Sequence, residues 1–247
     1  MIQRYKLIIE YEGTEFVGWQ RQENGLSVQQ VLEEAAASYC QAQITVYGAG
    51  RTDSGVHAIG QAAHVDLPRV DSCDKVRAAF NSYLRPYKVA VMEVEKVKSD
   101  FHARFDAIER SYFYIINNRR PPLALDLKRS WWISKPLDAV AMHASAQILL
   151  GKHDFSSFRA SECQAASPIK TLLQLDVERR ENKIIVKARA PSFLHHQVRN
   201  FVGSLVLVGK GKWSDLDMKV ALDSKDRRSG GPTAPPYGLY LDRVIYT

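Results

Sequence analysis

Cysteine is scarce in this chain: Cys40, Cys73 and Cys163 are the only three in 247 residues. None forms a C-x-x-C pair, which argues against a cysteine-built zinc site or a thioredoxin-like motif. Sparse, odd-numbered cysteine suits a reducing compartment rather than a disulfide framework. No apolar run approaches the roughly 20 residues of a membrane-spanning helix, so no membrane partner is expected. Three catalytic or nucleotide signatures are also missing. There is no G-x-x-x-x-G-K-[ST] phosphate loop. The dinucleotide fingerprint fails at Asp53, which stands where its third glycine belongs, and no G-x-S-x-G elbow occurs. Strand-like sequence begins at Tyr5, leaving no room for a leader peptide, and a cytoplasmic chain is the expectation.

What is present is ordinary globular composition with a basic surplus. Hydrophobic residues make up 45% and charged residues 25%, enough for one large domain or two small ones. The formal net charge is +7, which is compatible with a polyanionic partner.

Periodicity gives an order of elements. Tyr5–Tyr11 reads as a strand. Ser27 caps a helix to about Cys40, with Val28, Val31, Leu32 and Ala35 on one face. Strands at 43–47 and 56–67, a helix from Cys73 to Leu84 and a strand at 89–94 complete a β-α-β-β-α-β pattern, the split βαβ or ferredoxin-like order. The second half repeats it: a strand at 110–116, a helix at 137–150, two strands at 172–179 and 183–190, a helix from Phe193 to about Val208, and a closing strand at 238–246. The expected class is α+β, with a ferredoxin-like half at 1–104 and another at 105–247. The stretch from Asn117 to Pro136, carrying Arg119, Arg120, Lys128 and Arg129, reads as a long insertion of functional or mobile character. Phe16 and Trp19, in the loop after the first strand, read either as core caps or as a wall of a cleft.

The segment Gly48-Ala49-Gly50-Arg51-Thr52-Asp53-Ser54-Gly55-Val56-His57-Ala58 sets a cation and a carboxylate two residues apart in a glycine-rich turn between strands. Glycine lets another molecule approach the backbone closely, and rigid flanks hold a loop side chain in place. A neighbouring guanidinium favours the ionised carboxylate. The same residues also suit a turn closed by side-chain hydrogen bonds, and the spacing alone leaves both readings open.

Arg51-Thr52-Asp53-Ser54-Gly55-Val56-His57-Ala58 resembles the signature of the TruA-type tRNA pseudouridine synthases, which commonly have Ala in the place of Ser54. Other segments resemble the same family in the same order: Gly18-Trp19-Gln20, Arg110-Ser111-Tyr112-Phe113-Tyr114, Gly151–Arg159 with Cys163, Ser192–Gly203, and Gly230–Leu239. The family often has Tyr-His-Met in place of His195-His196-Gln197, and Asn81–Tyr87 is one residue longer than its usual loop. The resemblance implies that Asp53 is the nucleophile, that Arg51 helps to displace the target base, and that Arg199 pairs with the aspartate. It implies that Tyr112 stacks on the base, a role that strand spacing alone cannot assign between Tyr112 and Tyr114. Thr52, Gly55 and His57 fall in the substrate-binding signature.

The implied fold joins the antiparallel sheets of the two halves into one extended sheet, with helices on one side and a central cleft. The implied reaction is conversion of uridine to pseudouridine at positions 38–40 of the tRNA anticodon stem-loop by a homodimer. It needs no cofactor, in keeping with the missing nucleotide motifs, and no metal. Neighbouring His195 and His196 point about 100° apart on a helix, with no third ligand at suitable spacing. Two alternatives are carried. One is a non-catalytic tRNA-binding protein built on two RRM-like halves. The other is a hydrolase using His153 and Ser156.

Overall fold

The computed structural model describes residues 1–247, which form two compact units: Met1–Ile108 with Tyr240–Thr247, and Glu109–Leu239. The expected α+β class, with mostly antiparallel pairing, is borne out.

The first unit contains β1 (Gln3–Tyr11), α1 (Val28–Cys40), β2 (Val46–Gly48), β3 (His57–Leu67), α2 (Cys73–Leu84) and β4 (Val89–Val97). Its strands lie in the order β4-β1-β3-β2, all antiparallel, which is the split βαβ arrangement. The period of two decides the packing of β1: Tyr5, Leu7, Ile9 and Tyr11 are buried, and the residues between them are less so. Ser27 and Ser72 cap the two helices, accepting from the Gln30 and Lys75 amides at 3.2 and 3.3 Å. Val28, Val31 and Leu32 of α1 and Val76, Phe80 and Leu84 of α2 go into the core, and the helices pack on each other.

The second unit contains β5 (Glu109–Asn118), β6 (Trp131–Ile133), α3 (Ala139–Gln147), β7 (Gly151–Asp154), β8 (Ile169–Leu172), β9 (Gln174–Arg180), β10 (Lys183–Ala190), α4 (Gln197–Gly209) and α5 (Asp215–Ser224). The main sheet runs β5-β10-β9, antiparallel, and β6 adds to β5 in parallel. β7 and β8 make a separate pair. Helix α3 packs on β9 and α4. The last strand, β11 (Leu239–Ile245), runs parallel to β3 through Tyr240 opposite His57 and Leu241 opposite Ala58.

Several boundaries differ from the expectation for local reasons. The helix expected from Phe193 starts at Gln197, because His196 sits in the left-handed region at φ 61° and Gln197 Oε1 accepts from the Leu194 amide at 2.7 Å. The insertion is tied down at both ends. Asn118 Nδ2 donates to the carbonyls of Ile133 and Lys135 at 2.9 and 2.7 Å, and Asn117 Nδ2 donates to Ser130 Oγ at 2.8 Å. Both asparagines are buried, so these bonds satisfy amides that would otherwise be orphaned.

Candidate active site

The Asp53 loop is held by the segment before α1. A short 3-10 turn at Gly13–Glu15 leads into Phe16 and Trp19, each only 3% exposed. Both rings belong to the core, which settles the choice between core cap and cleft wall. Trp19 N–H donates to the Thr52 carbonyl at 3.1 Å, and Ser54 Oγ donates to the Phe16 carbonyl at 3.1 Å. Gly18 forms an isolated bridge with Asp53, at φ +120°. A Cβ on Gly18 would sit 2.6 Å from the Thr52 carbonyl oxygen, so only glycine fits this approach. The Trp19 ring lies over Gly48, leaving no room for a side chain there either.

The sequence-predicted loop residues then separate by role. Asp53 is half-buried, and its carbonyl accepts from the Val56 amide at 3.1 Å, closing a tight turn. Gly55 occupies the third position of that turn at φ +77°, the conformation that calls for glycine. Arg51 is exposed. Thr52 is buried, its hydroxyl 2.8 Å from that of Tyr11. His57 is 1% exposed; its Nδ1 accepts from the Gly13 amide at 2.9 Å, and its ring stacks on Tyr240 with centroids 4.7 Å apart. An accepting Nδ1 carries no proton, so this histidine is fixed in one tautomer as a structural clasp. Gln61 Nε2 ties the Gly50 carbonyl at 3.0 Å, and the Ala49 amide bonds Ala62 at 2.8 Å. A carboxylate thus stands on a turn fixed on both sides, which is the preorganisation that a nucleophile or base requires.

In the second unit, Arg199 lies in the first turn of α4. A cation there opposes the helix dipole, so its placement is not explained by helix stability. Its Nε donates to the Ala234 carbonyl at 2.8 Å, and the Ala234 amide returns a bond to the Arg199 carbonyl at 3.1 Å. The stretch Gly231–Ala234 lies close against α4: a Cβ on Gly203 would fall 1.6 Å from the Pro232 carbonyl oxygen. Asn200 is fully buried. It donates to the Phe158 carbonyl at 2.8 Å and accepts from Thr233 Oγ1 at 2.7 Å and from Arg227 at 3.2 Å. These bonds fix the base of α4 and the direction of Arg199.

The two tyrosines of β5 are not equivalent. Tyr114 is fully buried and donates to the Pro235 carbonyl at 2.8 Å. Burial holds its phenol well above the ordinary value, so it stays protonated. Tyr112 is half-buried, its ring edge-on to Phe193 at 5.2 Å. Tyr114 is spent on the core, whereas Tyr112 is left only half-buried.

The His-Asp-x-Ser cluster is occupied locally. His153 Nε2 is 2.7 Å from the Leu150 carbonyl, and Asp154 Oδ1 accepts from the Ser156 amide at 2.9 Å. Each group shapes its own turn, which removes the support for a hydrolytic triad. The buttressing role of Tyr11, Gly13 and Gly18 was not foreseeable from residue type, although glycine beside tryptophan at 18–19 hinted at close packing.

A family model described as tRNA pseudouridine synthase matches residues 7–106 and 145–247. Among curated proteins, tRNA pseudouridine synthase A of Paramagnetospirillum magneticum is 58% identical over 244 residues, covering 99% of this chain and 95% of the relative. The protein of the same name from Rhodospirillum rubrum is 56% identical over 243 residues, covering 98% and 87%. That from Afipia carboxidovorans is 55% identical over 243 residues, covering 98% and 99%. Matched in both units and along nearly its whole length, the chain belongs to the tRNA pseudouridine synthase family.

Proposed function

We propose that this protein isomerises uridine to pseudouridine within tRNA, at positions 38–40 of the anticodon stem-loop, with Asp53 as nucleophile. The observation that carries this reading is the half-buried carboxylate on a turn clamped by Trp19, Ser54 and Gly55, in a chain of this family. The N1–C1′ bond breaks, the base turns, and C5 joins C1′; N1 gains a proton and C5 loses one. Atoms and electrons balance within the nucleoside, so no redox partner or group carrier is required.

The target base must leave its helical stack, at a cost of a few kcal/mol. Tyr112 stacks on the flipped uracil, and such stacking contributes roughly 1–3 kcal/mol. Arg51, exposed at the head of the loop, fills the place that the base leaves. Arg199 serves as the cationic partner of the nucleophile. Thr52, Gly55 and His57 serve the substrate by holding the shape of the loop. The enzyme works in the cytoplasm as a homodimer, without cofactor.

Purified protein incubated with unmodified tRNA and no added cofactor should form pseudouridine at positions 38–40, mapped nucleotide by nucleotide. Tight tRNA binding with no pseudouridine would replace this reading with that of a non-catalytic RNA-binding protein.

A further inference from the structure

The arginines of the insertion have no part in the site above. Asn118, Arg119, Arg120, Ser134, Pro136 and Arg179 line an open depression of about 270 Å³ in the second unit. Three of these six residues carry guanidinium groups and none carries a carboxylate.

Two of the arginines are positioned by the backbone. Arg179 donates through one nitrogen to Asn118 Oδ1 at 2.9 Å and to the Leu137 carbonyl at 2.7 Å. Arg119 donates to the Pro122 carbonyl at 3.0 Å, and its own carbonyl accepts from Trp132 Nε1 at 2.9 Å. Their Nε atoms differ: that of Arg119 is buried with no hydrogen-bond partner, an unusual cost for a charged group. Arg120 is exposed at the rim. Asn118 ties the depression together, since it also binds the Leu137 amide at 3.1 Å and the carbonyls of Ile133 and Lys135. Like charges gathered around one hollow repel each other, and guanidinium groups held by carbonyls keep their full charge. An anion with several acceptor oxygens relieves that repulsion, and planar guanidinium forks match phosphate geometry.

We propose that this depression is a phosphate-binding site, separate from the Asp53 loop, that holds a backbone phosphodiester of the RNA. The inference rests on the proposed RNA substrate and adds an anchor for it. A phosphate contact positions the polynucleotide and carries no base preference.

The test is equilibrium binding of tRNA to the full-length protein as a function of salt, read without reference to product. Arg120→Glu is the informative variant, because Arg120 is exposed and its replacement leaves the bonds of Arg119 and Arg179 intact. It should weaken tRNA binding by roughly tenfold at low salt and reduce the log–log salt slope by about 1. Arg120→Lys should keep the slope. Lys219→Glu, an equal change of charge on the exposed face of α5, should alter it less than Arg120→Glu does. In a second arm, inorganic phosphate is titrated at constant ionic strength while the arginine Nε–H resonances are followed. Shifts at Arg119 and Arg179, together with the tRNA result, support the site. Shifts with phosphate but unchanged tRNA affinity and slope for Arg120→Glu would overturn the RNA assignment in favour of a free small anion. No response in either arm would overturn the site altogether. Failure of the proposed reaction would show as missing pseudouridine with these binding curves intact.

Discussion

Tyr112 and Tyr114 show how much a single residue's surroundings decide. Both point to the same side of β5, yet one is sealed in the core and the other is only half-buried. If Tyr112 works by stacking, the ring matters and the hydroxyl does not. Tyr112→Phe should retain pseudouridine formation, whereas Tyr112→Ala should lower kcat/KM by about tenfold or more, measured on unmodified tRNA. His64 makes a different residue-level prediction. It is 2% exposed, and its Nδ1 accepts from the Ala103 amide at 3.1 Å. Burial, aided by Arg4 and His102, lowers its pKa from 6.5 to about 4. The unfolded chain therefore takes up a proton near pH 6.5 that the folded chain refuses until about pH 4. Stability from this group is present above pH 6.5 and drains away as the pH falls toward 4. Urea midpoints should drop over that window, and His64→Gln, which keeps an acceptor for Ala103, should drop less steeply.

Among the elements, α3 depends visibly on its cap. Asp138 accepts from the Val140 and Ala141 amides at 2.9 and 3.0 Å, at the head of a helix of only nine residues. Asp138→Ala should cost about 1 kcal/mol in denaturant unfolding and leave the tRNA affinity unchanged. The same scale shows what could be read in advance. Strands with a clean period of two, such as β1, and helices with an apolar stripe after a serine, such as α1 and α2, were legible because local pattern and burial agree. Helix α5 was not, because exposed Leu216 and Val220 blur the stripe formed by Met218, Ala221 and Leu222. Strand β6 is too short for a period, and its place is set by the side-chain bonds of Asn117 and Asn118 to distant backbone and serine. The loop of Asp53 could be located from its residues. Its buttress could not, since the bonds from Trp19 to Thr52 and from Gly13 to His57 join positions more than 30 apart in sequence.

For the molecule as a whole, the basic surplus of +7 bears on how it meets a polyanion. Each phosphate neutralised releases counterions, so tRNA affinity should fall linearly on a log–log plot against salt, with a slope of about −0.7 to −0.9 per phosphate. An affinity insensitive to salt between 50 and 200 mM, conditions over which several such contacts cost orders of magnitude, would contradict phosphate-led binding.

The most direct measurement compares the native chain with Asp53→Asn, an almost isosteric change that removes the carboxylate and leaves the turn's backbone bonds in place. Pseudouridine in unmodified tRNA should fall below detection for the variant, while its tRNA dissociation constant stays within a few-fold of the native value. A variant that still forms pseudouridine at the native rate would contradict the assignment of Asp53 as the nucleophile.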